Sequence, residues 1–406
     1  RSRVAPSPLA PPNKTEVHMV RIAVAGLGAQ GKLYAQLITG QIPDLELAAL
    51  CATNPRSTRV ESHREFAATH GVPLFTSFTE MLDSGTVDAV VITTPHWSHP
   101  GLATDAITRG IHVLLEKPAG VTSQSVVRLA ATAAAHPQAS IAMMFNQRAN
   151  PLYRDLHGLI ISGALGRLRH TNWMITHWWR PDAYYNSSSW RASWAGEGGG
   201  VLVNQAPHQL DLWQWLCGNV QRCFSRARFG FRRDIEVEDE VSALVEFPDG
   251  ATGTLTTCTN DLVGTDRLEL LFDEGKVIVD DSADVTVWRY VDDERAIARS
   301  ISPADAALVP SGVFDRSSFH SATTTHYESP WGVQHALALQ NFAEHIADGT
   351  PLFAGLAEGL AQVRLANAMH LSAWTGADID LVNFDDEAYA QALAEKITAA
   401  GNHSHR

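Results

Sequence analysis

Val20-Arg21-Ile22-Ala23-Val24-Ala25-Gly26-Leu27-Gly28-Ala29-Gln30-Gly31 is the stretch on which the reading of this chain turns. Its apolar first half reads as a buried parallel strand that runs without a break into Gly-x-Gly-x-x-Gly and then a helical stretch from Lys32 to Thr39. In that setting the glycines permit a tight turn, a close backbone approach to a pyrophosphate and close packing of helix on strand. The helix N-terminus adds unpaired N–H groups for the phosphates. Gly26, Gly28, Ala29, Gln30 and Gly31 are therefore candidate nucleotide-binding residues. A lone glycine fingerprint can be a mere tight turn, but the strand before it and the helix after it favour the cradle.

Outward from this unit, strands and helices alternate. Leu45 to Cys51 is a second strand, ending about 20 residues on, where an Asp or Glu would hold the adenosine ribose of NAD. The sequence there is Cys51-Ala52-Thr53-Asn54-Pro55-Arg56, with no acid to repel a 2′-phosphate. Thr53, Asn54, Arg56 or Arg59 can bind one, so the cofactor expectation is NAD or NADP with a lean to NADP; the arginines equally suit the solvated start of a helix from Arg56 to His70. Strands at Val87–Thr93, Ile111–Leu115 and Ser140–Phe145, with helices at Gly101–Arg109 and Ser123–Ala135, complete a doubly wound parallel sheet.

The strand Ile111–Leu115 delivers Glu116-Lys117-Pro118 to the carboxyl edge of that sheet, the edge where open α/β sheets bind ligands. A solvated Glu-Lys pair is the plainer reading of the triplet alone. The fingerprint upstream and a glycine-histidine segment downstream make Lys117 the first candidate for chemistry. The loop Thr94-Pro95-His96-Trp97-Ser98-His99 is expected beside the same edge, with Thr94, Pro95, His96 and His99 as cofactor-side residues. No carboxylate or cysteine stands by the two histidines, so hydrogen bonding is expected of them and no metal.

After Asn146-Gln147-Arg148 the pattern changes. A helix at Pro151–Ser162 and a long strand at Arg167–Trp179 precede strands at Val220–Phe229, Glu240–Phe247, Ala251–Thr259, Arg267–Phe272, Lys276–Asp280 and Thr286–Tyr290. Their hairpin-like spacing predicts a large, mostly antiparallel open sheet with one face free for a partner. Residues 301–330 show no period and are expected to form a lid or a subunit contact, followed by helices at Gln334–Asp348, Ala354–Thr375 and Asp386–Ala400. The division expected is a disordered extension over 1–18 preceding a start at Met19, a dinucleotide-binding domain over 19–146, and a substrate-binding and oligomerisation domain over 147–406.

Within the second half lies Trp190-Arg191-Ala192-Ser193-Trp194-Ala195-Gly196-Glu197-Gly198-Gly199-Gly200, then Val201-Leu202-Val203-Asn204-Gln205-Ala206-Pro207-His208. Consecutive glycines let backbone pass close to a ligand. A helix beginning near Asn204 would put Asn204 and His208 on one face. His208 also fits a satisfied core histidine paired with Asp211, though with Lys117 and a nucleotide fold it becomes a catalytic candidate. The aromatic run His177-Trp178-Trp179-Arg180 with Tyr184 and Tyr185 suits either a core or a sugar ring, and Arg180 or Arg191 suits a phosphate, carboxylate or sulfonate.

The bulk numbers fit a small-molecule protein. At 406 residues two domains are the default, and 45% hydrophobic with 18% charged residues is ordinary globular composition. A net charge of −13 argues against nucleic-acid and anionic-membrane partners. Four scattered cysteines suit a reducing, cytoplasmic compartment, and no apolar run approaches the roughly 20 residues of a membrane span.

Together these residues resemble the Gfo/Idh/MocA oxidoreductases over nearly everything from Met19 to about Gly376. The resemblance implies that Lys117 of Glu116-Lys117-Pro118 is the active-site lysine, and that Asn204 and His208 stand for the family's Asp-x-x-x-His pair. It also implies that Trp190-Arg191 and Asn146 lie near the cofactor. Lys117, Asn204 and His208 would then be catalytic, with Arg180, Tyr184, Lys117, Asn204 and His208 around a sugar or polyol substrate in a homo-oligomer, dimer or tetramer. Asn204 departs from the usual aspartate and cannot act as a base. Two other readings stay open: a glycosidase using bound NAD for transient oxidation, elimination, hydration and reduction, and a nonenzymatic nucleotide-binding protein.

Overall fold

The computed structural model describes residues 19–53, 60–188 and 190–403. The extension 1–18 and the candidates Asn54, Arg56 and Arg59 lie outside the described residues. Six parallel strands, β1 (Val20–Ala25), β2 (Leu45–Cys51), β3 (Leu74–Phe75), β4 (Ala89–Ile92), β5 (His112–Leu115) and β6 (Ile141–Met143), form a sheet in the order β3-β2-β1-β4-β5-β6. The order reverses between β1 and β4, which opens the ligand crevice at their carboxyl ends. The first helix begins at Ala29 and runs to Gln41, three residues earlier than the apolar pattern predicts, because the last fingerprint glycine is already helical.

Buried strands with no exposed face explain the apolar runs: Ile22, Val24, Val90 and Leu114 are essentially inaccessible. Helices cover both sides of the sheet. One of them, Val333–Asp348, comes from far along the chain and packs Leu339, Phe342 and Ala343 into the core that holds Ile22 and Val24. The second half therefore contributes a layer to the first sheet.

The second sheet has nine strands: β7 (Leu168–Ile175), β8 (Arg222–Phe229), β9 (Glu238–Glu246), β10 (Thr252–Cys258), β11 (Asp266–Phe272), β12 (Gly275–Asp280), β13 (Asp284–Tyr290), β14 (His320–His326) and β15 (Ile379–Asp380), ordered β14-β13-β12-β11-β7-β10-β9-β8-β15. Pairing is antiparallel throughout except between β7 and β10. One face is covered by the helices Pro151–Ile161, Pro207–Cys217 and Leu356–Thr375, around a core holding Trp173 and Trp213. Asn172, Met174 and Leu244 point to the other face and are exposed.

Residues 301–330 hold the short helix Pro303–Ala306, a single turn at Ser317–Phe319 and β14, an edge strand exposed along its length whose Thr-rich sequence has no buried side to create a period. Two further expectations change. The long strand expected to reach Trp179 stops at Ile175, and Arg180 N is held instead by the Thr259 carbonyl at 2.9 Å. The helix carrying His208 starts at Pro207, not near Asn204. Proline lacks an N–H to donate and sits at the first helical position. Asn204 belongs to the turn before it, its N–H bonded to Gly200 O at 3.0 Å.

Candidate active site

The fingerprint builds a cradle. Gly26 takes φ +98°, its carbonyl accepts from Thr93 Oγ1 at 2.6 Å, and a Cβ on Gly31 would stand 1.9 Å from Gly26 O. Gly28, at the N-cap of the helix, has nothing within 4 Å of where its Cβ would be. Two glycines are thus required by packing, and the third faces open space, as close approach of a diphosphate demands. Just past β6 at the same carboxyl edge of the sheet, Asn146 is buried with its Oδ1 lacking any partner. The residues present fit a dinucleotide.

Lys117 leaves β5 and crosses to the other half, donating from Nζ to the backbone carbonyl of Asn204 at 2.8 Å. Burial lowers its pKa from 10.5, against the opposing charges of Glu116 and Glu197. Glu116 is buried and accepts from Tyr34 Oη and, at 3.1 Å, from Lys117 N; burial raises its pKa. His99 holds this loop in place, its ring nitrogens 2.8 Å from Pro118 O and 2.7 Å from Thr94 O. His96 donates across the cleft from Nδ1 to Glu197 O at 3.1 Å, and burial pushes its pKa down to about 3. The loop histidines thus make hydrogen bonds, and no cluster of His, Cys, Asp and Glu able to hold a metal occurs among the described residues.

Facing Lys117 is the glycine-rich segment, clamped by packing: a Cβ on Gly200 would lie 2.0 Å from Glu238 O. Ala192 takes φ +65°, a left-handed conformation uncommon for alanine, and its N–H donates to Glu197 Oε2 at 2.8 Å. Glu197, 2% exposed, also accepts from Asn204 Nδ2 and lies 3.8 Å from Arg191 Nη1; burial raises its pKa. Tyr184 Oη accepts from Arg191 Nη1 at 2.6 Å and from Asn204 Nδ2 at 3.3 Å. Trp190 meets His96 edge-on at 5.5 Å. The amide nitrogen of Asn204 is therefore spent on Glu197 and Tyr184.

His208 has a buried Nδ1 without a partner, and burial, reinforced by the charges of Lys117 and His335, drives its pKa well below 6.5. Burial thus favours its neutral imidazole form. Its proposed core partner Asp211 pairs instead with Arg148, through two bonds of 2.8 and 2.7 Å.

Sequence reasoning missed Glu197 and His335. Glu197 had a signal, since it lies inside the glycine-rich segment whose backbone can pass close to a ligand. His335 sits on the helix Val333–Asp348 and reaches the crevice through that helix's packing on the first sheet. Its Nε2 lies 3.3 Å from Asn146 Nδ2 and 3.4 Å from Gln30 Nε2, and burial pushes its pKa down to about 4. Thr53 is exposed just past β2, and Ala52 beside it is buried.

Comparison with known proteins agrees with this fold. Residues 20–143 match the oxidoreductase family with an NAD-binding Rossmann fold, and residues 153–278 match the GFO/IDH/MocA C-terminal domain. The chain belongs to the Gfo/Idh/MocA oxidoreductase family. It is 24% identical over 269 residues to inositol 2-dehydrogenase 1 of Saccharopolyspora erythraea, covering 64% of this chain and 73% of that protein. It is 32% identical over 247 residues to 1-carboxy-3-chloro-3,4-dihydroxycyclo hexa-1,5-diene dehydrogenase of Comamonas testosteroni, 58% of this chain and 57% of that one. Among solved structures, the WlbA dehydrogenase of Bordetella pertussis in complex with NADH and UDP-GlcNAcA superposes with a TM-score of 0.76 at 25% identity, covering 91% of this chain and 99% of that one. No helix among the described residues is long and apolar enough to cross a membrane.

Proposed function

We propose that the chain is a dehydrogenase or reductase that moves a hydride between a nicotinamide dinucleotide and a ring-borne secondary alcohol of a sugar or cyclic polyol. The observation that carries this reading is the meeting of Lys117 with the Asn204 carbonyl across the cleft, beside a neutral His208. When bound, the nicotinamide supplies the hydride acceptor or donor; Gly26, Gly28, Ala29 and Gly31 would hold its diphosphate and Asn146 its reactive end. His208, kept neutral by burial, takes the hydroxyl proton in oxidation and returns it in reduction. Lys117 holds the same oxygen by hydrogen bonding, which its lowered pKa equips it to do while sharing the proton. Tyr184 and Asn204 orient the ring. Relatives that act on inositol and on a carboxylated dihydroxy ring support the substrate class.

For the cofactor, exposed Thr53 and the missing acid at the end of β2 leave room for a 2′-phosphate, which favours NADP. The open face of the second sheet is the surface we assign to self-association. The deciding experiment is a panel of cyclitols, aldoses and sugar acids assayed for NAD and NADP reduction by the absorbance of the reduced nicotinamide, with sugar release measured in parallel. Reduction coupled to alcohol loss is expected. Aglycone release without net reduction would replace this reading by the glycosidase one.

A further inference from the structure

The cations around the site divide into those with a carboxylate and one without. Arg191 lies 3.8 Å from Glu197, Arg233 lies 3.6 Å from Asp182, and Lys117 feels both Glu116 and Glu197. Arg180 makes no ion pair among the described residues. Its Nη1 donates to the carbonyl oxygens of Trp178 and Trp179 at 3.3 and 3.1 Å, and its backbone carbonyl accepts from Arg233 Nε at 2.9 Å. Its Nε is buried with no partner.

Which edge of the guanidinium is left open decides what it can bind. Three bidentate arginine–carboxylate pairs among the described residues use the Nε/Nη2 edge: Arg148 with Asp211 at 2.8 and 2.7 Å, Arg21 with Asp88 at 2.9 and 2.7 Å, and Arg364 with Asp386 at 3.0 and 2.6 Å. In Arg180 the opposite nitrogen is anchored to backbone, and no carboxylate of the described residues meets its Nε/Nη2 edge. A planar fork with two parallel donors matches a carboxylate bidentately. The guanidinium also lies 5.0 Å from the centre of the Tyr184 ring, whose hydroxyl is bonded to Asn204, so this edge borders the place assigned to the substrate ring. It follows the end of β7 in the second half, on the side of the cleft away from the fingerprint.

We infer that the substrate carries a carboxylate on its ring or chain and that Arg180 receives it through its Nε/Nη2 edge, making the enzyme selective for acidic sugars or acidic cyclic alcohols. This rests on the dehydrogenase reading and narrows its substrate class. The test uses the full chain with NADH bound and a panel of hexuronates and aldonates, each beside its neutral hexose or alditol and the hexose 6-phosphate, with binding read by titration calorimetry. At least one acid should bind roughly 10- to 100-fold more tightly than its neutral counterpart, the worth of one charge-assisted fork. Arg180→Gln should erase that ratio. Arg180→Lys, which keeps the charge but not the fork, should restore only a small part of it.

Equal binding of acid and neutral compounds, an advantage that survives Arg180→Gln, failure of every acid to bind, or preference for the phosphate overturns the inference. The two readings fail separately. An acid that binds through Arg180 but is never oxidised defeats the dehydrogenase reading alone. Turnover of neutral polyols with no preference for acids defeats the carboxylate alone.

Discussion

Asn204→Asp isolates the electrostatics of the site, because the structure puts the Asn204 amide against the buried carboxylate of Glu197. The substitution turns a donor into a second negative charge. Two like charges about 4 Å apart at an effective dielectric of about 20 repel by about 4 kcal/mol. That is roughly three pKa units at 1.36 kcal/mol each, enough to lift the upper titration of the pair from the ordinary carboxylate range to near neutrality. The folded pKa then exceeds the unfolded one, so the folded state binds the extra proton in the window between about pH 4 and 7. Stability of the variant relative to the parent should therefore rise as pH falls through that window. Urea denaturation at a series of pH values reads it: a deficit of about 4 kcal/mol on the alkaline side, more than half recovered one unit above the unfolded carboxylate pKa. Adding Glu197→Gln restores one carboxylate facing one amide and should remove both the deficit and its pH dependence. A pH-independent deficit, or no relief from Glu197→Gln, would show that the two side chains do not meet as described.

Lys117→Met and His208→Ala should each lower turnover by roughly 10² to 10⁴ while calorimetric NADH binding persists, and the double variant should lose far less than the product of the two. Since His208 must be neutral to accept a proton, kcat/KM should fall with acid only well below pH 6.5, and His208→Ala should abolish that limb. If protonated Lys117 is the form that holds the oxygen, the alkaline limb lies below 10.5 and disappears in Lys117→Met. Gly31→Ala should lower the melting temperature, its Cβ having 1.9 Å to Gly26 O, whereas Gly28→Ala should leave melting unchanged and weaken NADH binding in a fluorescence titration. Asp211→Ala strands Arg148 and should cost about 3–5 kcal/mol by denaturation, most of it regained in Arg148→Met with Asp211→Leu.

How much of this the residues announce depends on whether a local signal exists. The strand Leu45–Cys51 and the helix Ser123–Ala135 are legible to the residue: the first is apolar except at exposed Glu46, and the second is capped by Thr122, which accepts from Ser125 N. The strand Leu74–Phe75 is two residues long and half-buried, too short to show any period, and β14 has no apolar side to alternate. In the site, Lys117 is readable because a charged residue ends a buried strand. The destination of the Asn204 side chain is not, because it depends on where Pro207 starts its helix. His335 is beyond local reading altogether, since nothing within its helix marks a contact with Gln30 and Asn146 on the first half.

Lys117 spends one of its protons on a main-chain oxygen of the opposite half. Parting the two halves would break that bond and admit water, and the lysine would regain ordinary basicity because burial is the main cause of its lowered pKa. The basicity of this amine is thereby tied to the contact between the two halves.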